Sequence, residues 1–178
     1  FKSSPTIVDG TVFVSNYSLY AFNAETGEQQ WRYGADELFW VSPTVVDGIV
    51  FIGSEDGNVH AIDAEKPSPR WISDVSSSNS SSPIVADETV FVGGGQGKLY
   101  ALNAETGQEE WAFETGDYIG SSPTVADGTV YIGSDDTNLY AVDAETGQQE
   151  WAFKTDKLVR SSPTVADGTV FIGSYDNN

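Results

Sequence analysis

One eleven-residue stretch recurs in this chain at an interval of forty residues. It reads Ala-Leu-Asn-Ala-Glu-Thr-Gly-Gln-Glu-Glu-Trp at residues 101–111, and close copies occupy residues 21–31 and 141–151. A degraded copy occupies residues 61–71, so four tryptophans follow one another at this interval: Trp31, Trp71, Trp111 and Trp151. A period of this size indicates repeated supersecondary units, each of which needs a neighbour to bury its apolar face.

Each unit carries the signals of four short strands. In the first unit, two β-branched runs flank Asp9-Gly10, and Asp-Gly is typical of a two-residue hairpin turn with positive φ at both positions. Residues 19–23 alternate apolar with small or polar side chains, and residues 29–33 follow a turn at residues 24–27. The pattern predicts a four-stranded antiparallel meander without a helix.

The spacing also defines the predicted domain organisation. Residues 1–178 form one domain, with repeats at 3–40, 41–80, 81–120 and 121–160 and a partial repeat at 161–178. Four strands in about forty residues are typical of a β-propeller blade. We therefore predict an all-β propeller of about four and a half antiparallel blades, cut from a larger ring of seven or eight blades. The half-blade leaves an unpaired strand near residues 170–173, which further sequence or another chain would complete.

Two repeats depart from the common pattern at their turns. The second has Glu-Lys-Pro-Ser-Pro at residues 65–69 where the others have Glu-Thr-Gly, and its two prolines predict a different, stiffer loop. The third has Asp87-Glu88 in place of Asp-Gly. Because Glu at positive φ costs on the order of 1 kcal/mol, we expect a changed turn type there within an unchanged fold.

The charge is the most unusual part of the composition. The chain has 27 acidic and 8 basic residues and a net charge of −19. Such a surface repels phosphate backbones and anionic lipids, which argues against nucleic acid and membrane surfaces as partners. No stretch approaches the roughly 20 apolar residues of a membrane span, so we expect no direct membrane insertion. Because cations screen self-repulsion, we interpret the charge as an adaptation to high salt, with an ordinary acidic secreted domain as the alternative. The chain has no Cys, which excludes disulfides and thiolate chemistry.

The recurring stretch resembles the tryptophan-docking motif of the pyrroloquinoline-quinone (PQQ) repeat family, Ala-x-Asp-x-x-Thr-Gly-x-x-x-Trp. Residues 141–151 match it in full, and residues 21–31 and 101–111 differ by Asn in place of Asp. Residues 61–71 lack the Thr and Gly, so we expect the docking of this repeat onto a neighbour to be the exception. The tryptophans are not followed by Asp, as they are in WD-repeat blades.

The resemblance implies a role for the residues of the motif. In that family each Trp lies flat against the Gly-bearing turn and the small Ala of an adjacent motif, which locks blade to blade. The docking residues implied here are Trp31, Trp71, Trp111, Trp151, Gly27, Gly107, Gly147, Ala21, Ala61, Ala101 and Ala141.

The resemblance leaves catalysis open, because some members of the family are quinoprotein dehydrogenases with PQQ and calcium and others have no cofactor. Quinoprotein alcohol dehydrogenases place a vicinal Cys pair against the cofactor, and this chain has none. The only histidine, His60, occupies the position of Tyr20, Tyr100 and Tyr140 in the other repeats, which favours a structural role. We expect no catalytic, cofactor-binding or metal-binding residues. The alternative is a PQQ-dependent dehydrogenase fragment whose cofactor site lies in further blades.

The segments between the repeats are where the copies differ most. They occupy residues 34–41, 73–79, 116–120 and 156–160, and unequal loops on a common face suggest a surface specialised for a ligand or partner. Phe39, Trp40, Tyr118 and Arg160 are of the types that dominate binding hot spots, so we predict them as the binding face. Relaxed constraint on loops is the alternative.

Together these features predict a non-catalytic binding or scaffolding module. It resembles the outer-membrane-assembly lipoproteins within the PQQ-repeat family and their archaeal relatives, and its charge suggests a haloarchaeal source. We expect an extracytoplasmic location, reached through a signal or anchor that is not in this segment. The expected partner is another protein or a neighbouring chain that completes the ring, which includes a homo-oligomer.

Overall fold

The computed structural model describes residues 3–34, 38–75 and 81–175 of the chain. In this part of the chain, β-strands form four sheets of four strands and one sheet of two strands. Every pairing is antiparallel between strands that are consecutive in sequence. The predicted all-β fold of four-stranded antiparallel blades is therefore confirmed.

The strands of each sheet follow the repeats. The first sheet contains β1 (Thr6–Val8), β2 (Thr11–Ser15), β3 (Leu19–Asn23) and β4 (Gln29–Tyr33). The second contains β5 (Thr44–Val46), β6 (Ile49–Gly53), β7 (Asn58–Asp63) and β8 (Pro69–Asp74). The third contains β9 (Ile84–Ala86), β10 (Thr89–Gly94), β11 (Lys98–Asn103) and β12 (Glu109–Glu114). The fourth contains β13 (Thr124–Ala126), β14 (Thr129–Gly133), β15 (Asn138–Asp143) and β16 (Gln149–Lys154), and the fifth contains β17 (Thr164–Ala166) and β18 (Thr169–Phe171).

The turn between the first two strands has the same geometry in every repeat. Asp9 and Gly10 have φ values of 48° and 74°, as expected for the predicted hairpin. Asp87 and Glu88 have φ values of 47° and 64°, so the expected change of turn type in the third repeat is wrong. Strand pairing on both sides of the turn fixes the backbone. The backbone carbonyl of Glu88 accepts a hydrogen bond from Ala104 N at 2.8 Å, as the carbonyl of Gly10 does from Ala24 N in the first repeat.

The core lies in layers between successive sheets. The first layer joins Phe13, Leu19 and Trp31 of the first repeat to Val50 and Ile62 of the second. Two equivalent layers follow between the second and third repeats and between the third and fourth. Each repeat thus buries its apolar face only against its neighbours, as expected for a repeat protein.

A belt of hydrogen bonds connects the first strands of neighbouring repeats. The Thr6 hydroxyl donates to the Pro43 carbonyl at 2.6 Å, and Ser42 N donates to the Ser82 hydroxyl at 3.0 Å. The same bonds recur in the other repeats, from Thr44 to Pro83, Thr124 to Pro163, Ser4 to Ser42, Ser82 to Ser122 and Ser122 to Ser162. The repeated Ser-Pro-Thr segments therefore hold the blades side by side, a role that the sequence pattern did not reveal.

Within the described residues, no helix has the length and apolar character needed to span a bilayer.

Candidate binding surfaces

The connections between strands lie at two opposite ends of the blades. One end, the loop face, carries the β2–β3 type loops and the segments between repeats; its described residues are 16–18, 34, 38–43, 54–57, 75, 81–83, 95–97, 115–123, 134–137, 155–163 and 172–175. The other end, the turn face, carries the hairpin turns; its residues are 9–10, 24–28, 47–48, 64–68, 87–88, 104–108, 127–128, 144–148 and 167–168. Residues 35–37 and 76–79 of the predicted binding segments lie outside the described residues.

Phe39 does not belong to the loop-face surface, contrary to our prediction. Its side chain is fully buried, and its ring centroid lies 5.3 Å from that of His60 and 6.2 Å from that of Tyr33. Ile119 and Val159 occupy the same position in later repeats and are also fully buried. An apolar residue two positions before the Ser/Val-Ser-Pro segment therefore closes the core of each of these junctions, and this recurrence was the signal available in the sequence.

The other three predicted residues lie on the loop face, and the structure brings two of them together. Arg160 lies over the ring of Tyr118, with its guanidinium carbon 5.9 Å from the ring centroid. Its Nε and Nη2 donate to the two carboxylate oxygens of Asp135 at 2.8 and 2.6 Å. These bonds, and then the charge of Asp135, raise the pKa of Arg160. Trp40 is 41% exposed and occupies the position of Arg160 in another repeat.

Asp135 is a residue of this surface that the sequence analysis missed. Its side chain is only 10% exposed, although it lies in a polar loop. The paired carboxylate holds the Arg160 guanidinium in one orientation, which reduces the entropy that this side chain loses on binding a partner.

His60 is the centre of a buried hydrogen-bond network. The Tyr33 hydroxyl lies 3.2 Å from Nδ1 and the Ser54 hydroxyl lies 3.1 Å from Nε2. Ser54 in turn donates to Asp56, so a consistent network has Nε2–H donating to Ser54 and Nδ1 accepting from Tyr33. Burial lowers the pKa of His60, and the Asp56 carboxylate partly offsets this, which favours the neutral ring.

The network around His60 is structural in its geometry. A Ser beside a His is the arrangement of a nucleophile and its base, but the Ser54 side chain is fully buried and out of reach of a substrate. In the fourth repeat Tyr140 takes the same position and donates directly to Asp136 at 2.6 Å. Burial and this bond raise the pKa of Tyr140 to about 12.

Each of the first three indole rings reaches forward to the turn of the following repeat. The Nε1 of Trp71 donates to the Ala104 carbonyl at 2.9 Å, and a Cβ on Gly107 would lie 2.6 Å from Cδ2 of this ring. The indole of Trp111 contacts Gly147 in the same way, and its Nε1 donates to Ala144 at 3.1 Å. The small residue under the ring is therefore supplied by the next repeat along the chain.

This direction corrects our expectation for the second repeat. Trp71 packs as Trp111 does, because the Gly that it needs belongs to the third repeat. The turn of the second repeat, which has Pro67 where the other repeats have Gly, instead faces Trp31. Even there the Trp31 Nε1 donates to Ala64 at 3.0 Å and the side chain is only 8% exposed.

The predicted alanines take a different place from the one that the resemblance implied. A register shift in each outer strand pair sets Ala21 directly opposite Trp31 of its own sheet. The same pairs occur in the next three repeats: Ala61 with Trp71, Ala101 with Trp111, and Ala141 with Trp151. The alanine that meets the ring of the preceding repeat is instead the one three positions later, as in Ala104. At the two ends of the array, Gly27 has open space around it and Trp151 is 40% exposed.

Comparison with known proteins places this geometry in a family. The family model described as outer membrane protein assembly factor BamB matches residues 39–118 and 105–178. The chain belongs to this PQQ-repeat family. A search of curated proteins finds no match to the sequence.

Solved structures of this fold include a BamB, a designed protein and alcohol dehydrogenases. BamB from Moraxella catarrhalis is 22% identical with a TM-score of 0.87, over 99% of this chain and 56% of that one. The computationally designed Ika8 protein is 19% identical with a TM-score of 0.86, over 97% and 55%. The quinohemoprotein alcohol dehydrogenase ADHIIG from Pseudomonas putida HK5 is 20% identical with a TM-score of 0.78, over 96% and 38%. The chain thus spans about half the length, or less, of these structures.

The PQQ-repeat family raises the question whether this chain has residues suited to PQQ and calcium. In the described ranges, no three His, Cys, Asp or Glu side chains are close enough together to hold a metal ion. The one histidine is buried in the network described above, and the sequence has no Cys. Among the described residues, side chains of these types therefore form no cluster of the kind that a metal ion needs.

Proposed function

We propose that this chain is a non-catalytic binding module of the PQQ-repeat family, and that its loop face docks a protein partner. One observation carries the proposal. The four-stranded blades share their strand order and hairpin turns, whereas the segments between them differ and expose Trp40 and the Arg160–Tyr118 pair at one end.

The chemistry of this surface suits a protein partner. Trp, Tyr and Arg side chains carry much of the binding energy in protein interfaces. The bidentate bond to Asp135 pre-orients Arg160, and the ring of Tyr118 lies beneath the guanidinium. A rigid Arg beside aromatic rings binds with a smaller loss of conformational entropy than a free side chain would.

The proposal includes an extracytoplasmic location and an adaptation to high salt. The description of the family model, an outer membrane protein assembly factor, supports both a protein partner and a site outside the cytoplasm. The net charge of −19 supports the salt adaptation. A neighbouring copy of the chain is an alternative partner, and light scattering at high salt would identify a discrete oligomer.

Photo-cross-linking tests the loop-face assignment. A photoreactive phenylalanine analogue replaces Trp40 in one variant and Ile72, an exposed residue of outer strand β8 that lies at neither end of the blades, in the control. When the cells that produce the protein are irradiated, the Trp40 variant should give one discrete adduct that the Ile72 variant does not form. Equal adducts from both positions, or none from Trp40, would contradict a docking site on the loop face.

Dehydrogenase activity is the second candidate, because the ADHIIG dehydrogenase shares the fold. The assay is dye-linked oxidation of alcohols or glucose after addition of PQQ and calcium. Turnover above that of heat-denatured protein would overturn the non-catalytic proposal.

A further inference from the structure

The two ends of the blades differ strongly in charge. Within the described residues, the turn face carries a single basic side chain, Lys66, and these acidic ones: Asp9, Glu25, Glu28, Asp47, Glu65, Asp87, Glu88, Glu105, Asp127, Glu145 and Asp167. The described residues of the loop face include fewer acidic ones, namely Glu55, Asp56, Asp117, Asp135, Asp136 and Asp156, with Lys157 and Arg160 among them. A uniform salt adaptation does not predict this asymmetry.

Three equivalent grooves open between the blades on the turn face. Their volumes are about 450, 330 and 540 Å³, in order along the chain, which is the size range of sites for side chains and small ligands. Each groove combines a Phe from the second strand, the Asp of the adjoining hairpin turn and a Glu from the outer turn of the next repeat. The three sets are Phe13, Asp9 and Glu65; Phe51, Asp47 and Glu105; and Phe91, Asp87 and Glu145.

The groove between the third and fourth repeats is the largest of the three, and four carboxylates line it. Its apolar wall includes Trp111 beside Phe91, and Glu110 and Asp143 add two carboxylates to the common pair. Glu110 accepts from Thr89 at 3.0 Å, and Asp143 accepts from Thr146 N at 2.7 Å. These bonds hold the carboxylates in place beside the aromatic wall.

A solvated acidic surface needs no such wall, so the combination points to a ligand that is both apolar and cationic. A long basic side chain has this character, because its alkyl stem packs on apolar surface while its charged end meets carboxylates. Arg fits better than Lys, since a guanidinium also stacks on aromatic rings and bonds carboxylates bidentately. The described lining of all three grooves includes no Lys, Arg or His that would compete.

We propose that the grooves between the blades on the turn face bind an arginine-containing extended segment of a protein partner. The junction of the third and fourth repeats is the principal site. The neighbouring grooves present the same Phe, Asp and Glu at the next junctions, so one segment engages more than one groove and gains affinity from the linkage. This surface lies at the opposite end of the blades from the loop face, so either assignment can fail without the other.

The test is a peptide titration with the whole chain. The probe is an acetylated eight-residue peptide of alternating Gly and Arg, and its control replaces every Arg by uncharged citrulline. Calorimetry is carried out at the lowest salt concentration at which the chain keeps its far-UV circular dichroism spectrum. Nitrogen–proton correlation spectra follow the tryptophan indole N–H signals.

Two charge-matched variants locate the site. The groove variant combines Glu110→Gln with Asp143→Asn, which are the residues of the first repeat at these positions, Gln30 and Asn23. The control variant removes two loop-face charges, Glu55→Gln and Asp156→Asn. Because the groove variant loses two surface charge pairs and each contributes about 0.2–1 kcal/mol, it should bind the arginine peptide about two- to thirtyfold more weakly, and the control within about twofold of wild type.

The outcomes separate the proposal from general charge attraction. We expect the arginine peptide to bind, the citrulline peptide not to bind, and the indole signal of Trp111 to shift more than that of Trp40. No binding of the arginine peptide, equal weakening in both variants, or a shift confined to Trp40 would each overturn the proposal. An equal affinity for a free guanidinium salt would assign the grooves to small cations and overturn the peptide occupant.

Discussion

The Gly under each indole offers a direct measurement of how strongly one repeat holds the next. Gly107 has a φ of +73°, and a Cβ there would lie 2.6 Å from Cδ2 and 2.7 Å from Cε3 of Trp71. Carbon atoms in contact lie about 3.5–4.0 Å apart, so the ring must move by about 1 Å. That movement also stretches the 2.9 Å bond from Nε1 to the Ala104 carbonyl.

Gly27 provides a matched control within the same chain. Its φ is +72°, and no atom lies within 4 Å of the position of a Cβ. Both Gly→Ala substitutions therefore pay about 1–2 kcal/mol for a left-handed Ala. Only Gly107→Ala adds overpacking, which costs about 1–3 kcal/mol. We expect the free energy of unfolding to fall by about 2–5 kcal/mol for Gly107→Ala and by about 1–2 kcal/mol for Gly27→Ala.

Urea unfolding followed by far-UV circular dichroism measures both losses without relying on the tryptophan signal. Gly147→Ala repeats the experiment on Trp111, because a Cβ there would also lie 2.6 Å from Cδ2 of the ring. Equal losses for Gly107→Ala and Gly27→Ala would show that the conformational cost explains everything, and would refute the inference that indole packing couples the repeats.

Three further predictions concern stability. Trp111→Ala should lower the free energy of unfolding by about 3–5 kcal/mol, and Trp151→Ala by less, because Trp151 is 40% exposed; urea unfolding compares them. The melting temperature should rise between about 0.1 and 2 M KCl by more than in an uncharged osmolyte, since the net charge is −19; identical curves would contradict salt adaptation. Burial lowers the pKa of His60, so its contribution to stability is present above its unfolded pKa of about 6.5 and lost as the pH falls through the folded pKa. His60→Tyr with Tyr33→Phe, which reproduces the Phe113–Tyr140 pair of the later repeats, should therefore lose less stability than wild type between about pH 7.5 and 5.

The strands and hairpins were predictable because their signals are local. Asp-Gly turns and alternating apolar residues predict the backbone geometry from a few neighbouring residues, and the same pattern recurs every forty residues. Glu88 shows the limit of this reasoning. Its unfavourable φ is imposed by strand pairing on both sides of the turn, so the cooperative ladder outweighs a preference of about 1 kcal/mol.

The contacts between repeats were less predictable, because a repeated sequence does not say which neighbour a residue faces. The Trp and Gly of the motif were identified, but the direction of their contact was not, and so the turn that lacks Gly was matched with Trp71 instead of Trp31. We predicted Phe39 on the surface, but an aromatic residue in a variable loop can either bind a partner or fill the core. Only the burial of Ile119 and Val159 at the same position decides between them.

The forward reach of Trp31, Trp71 and Trp111 has an evolutionary consequence. Each junction is built from the outer strand of one repeat and the outer turn of the following one, so its two halves are inherited forty residues apart. If a stretch of forty residues is duplicated or lost, the outer strand of one repeat still meets the outer turn of another. The junction is then of the existing type, wherever in the repeat the stretch begins. A turn such as the one around Pro67, by contrast, alters the junction with whichever repeat precedes it. Whole repeats can therefore be gained or lost one at a time. A substitution in the turn of one repeat, by contrast, affects the packing of the repeat that precedes it.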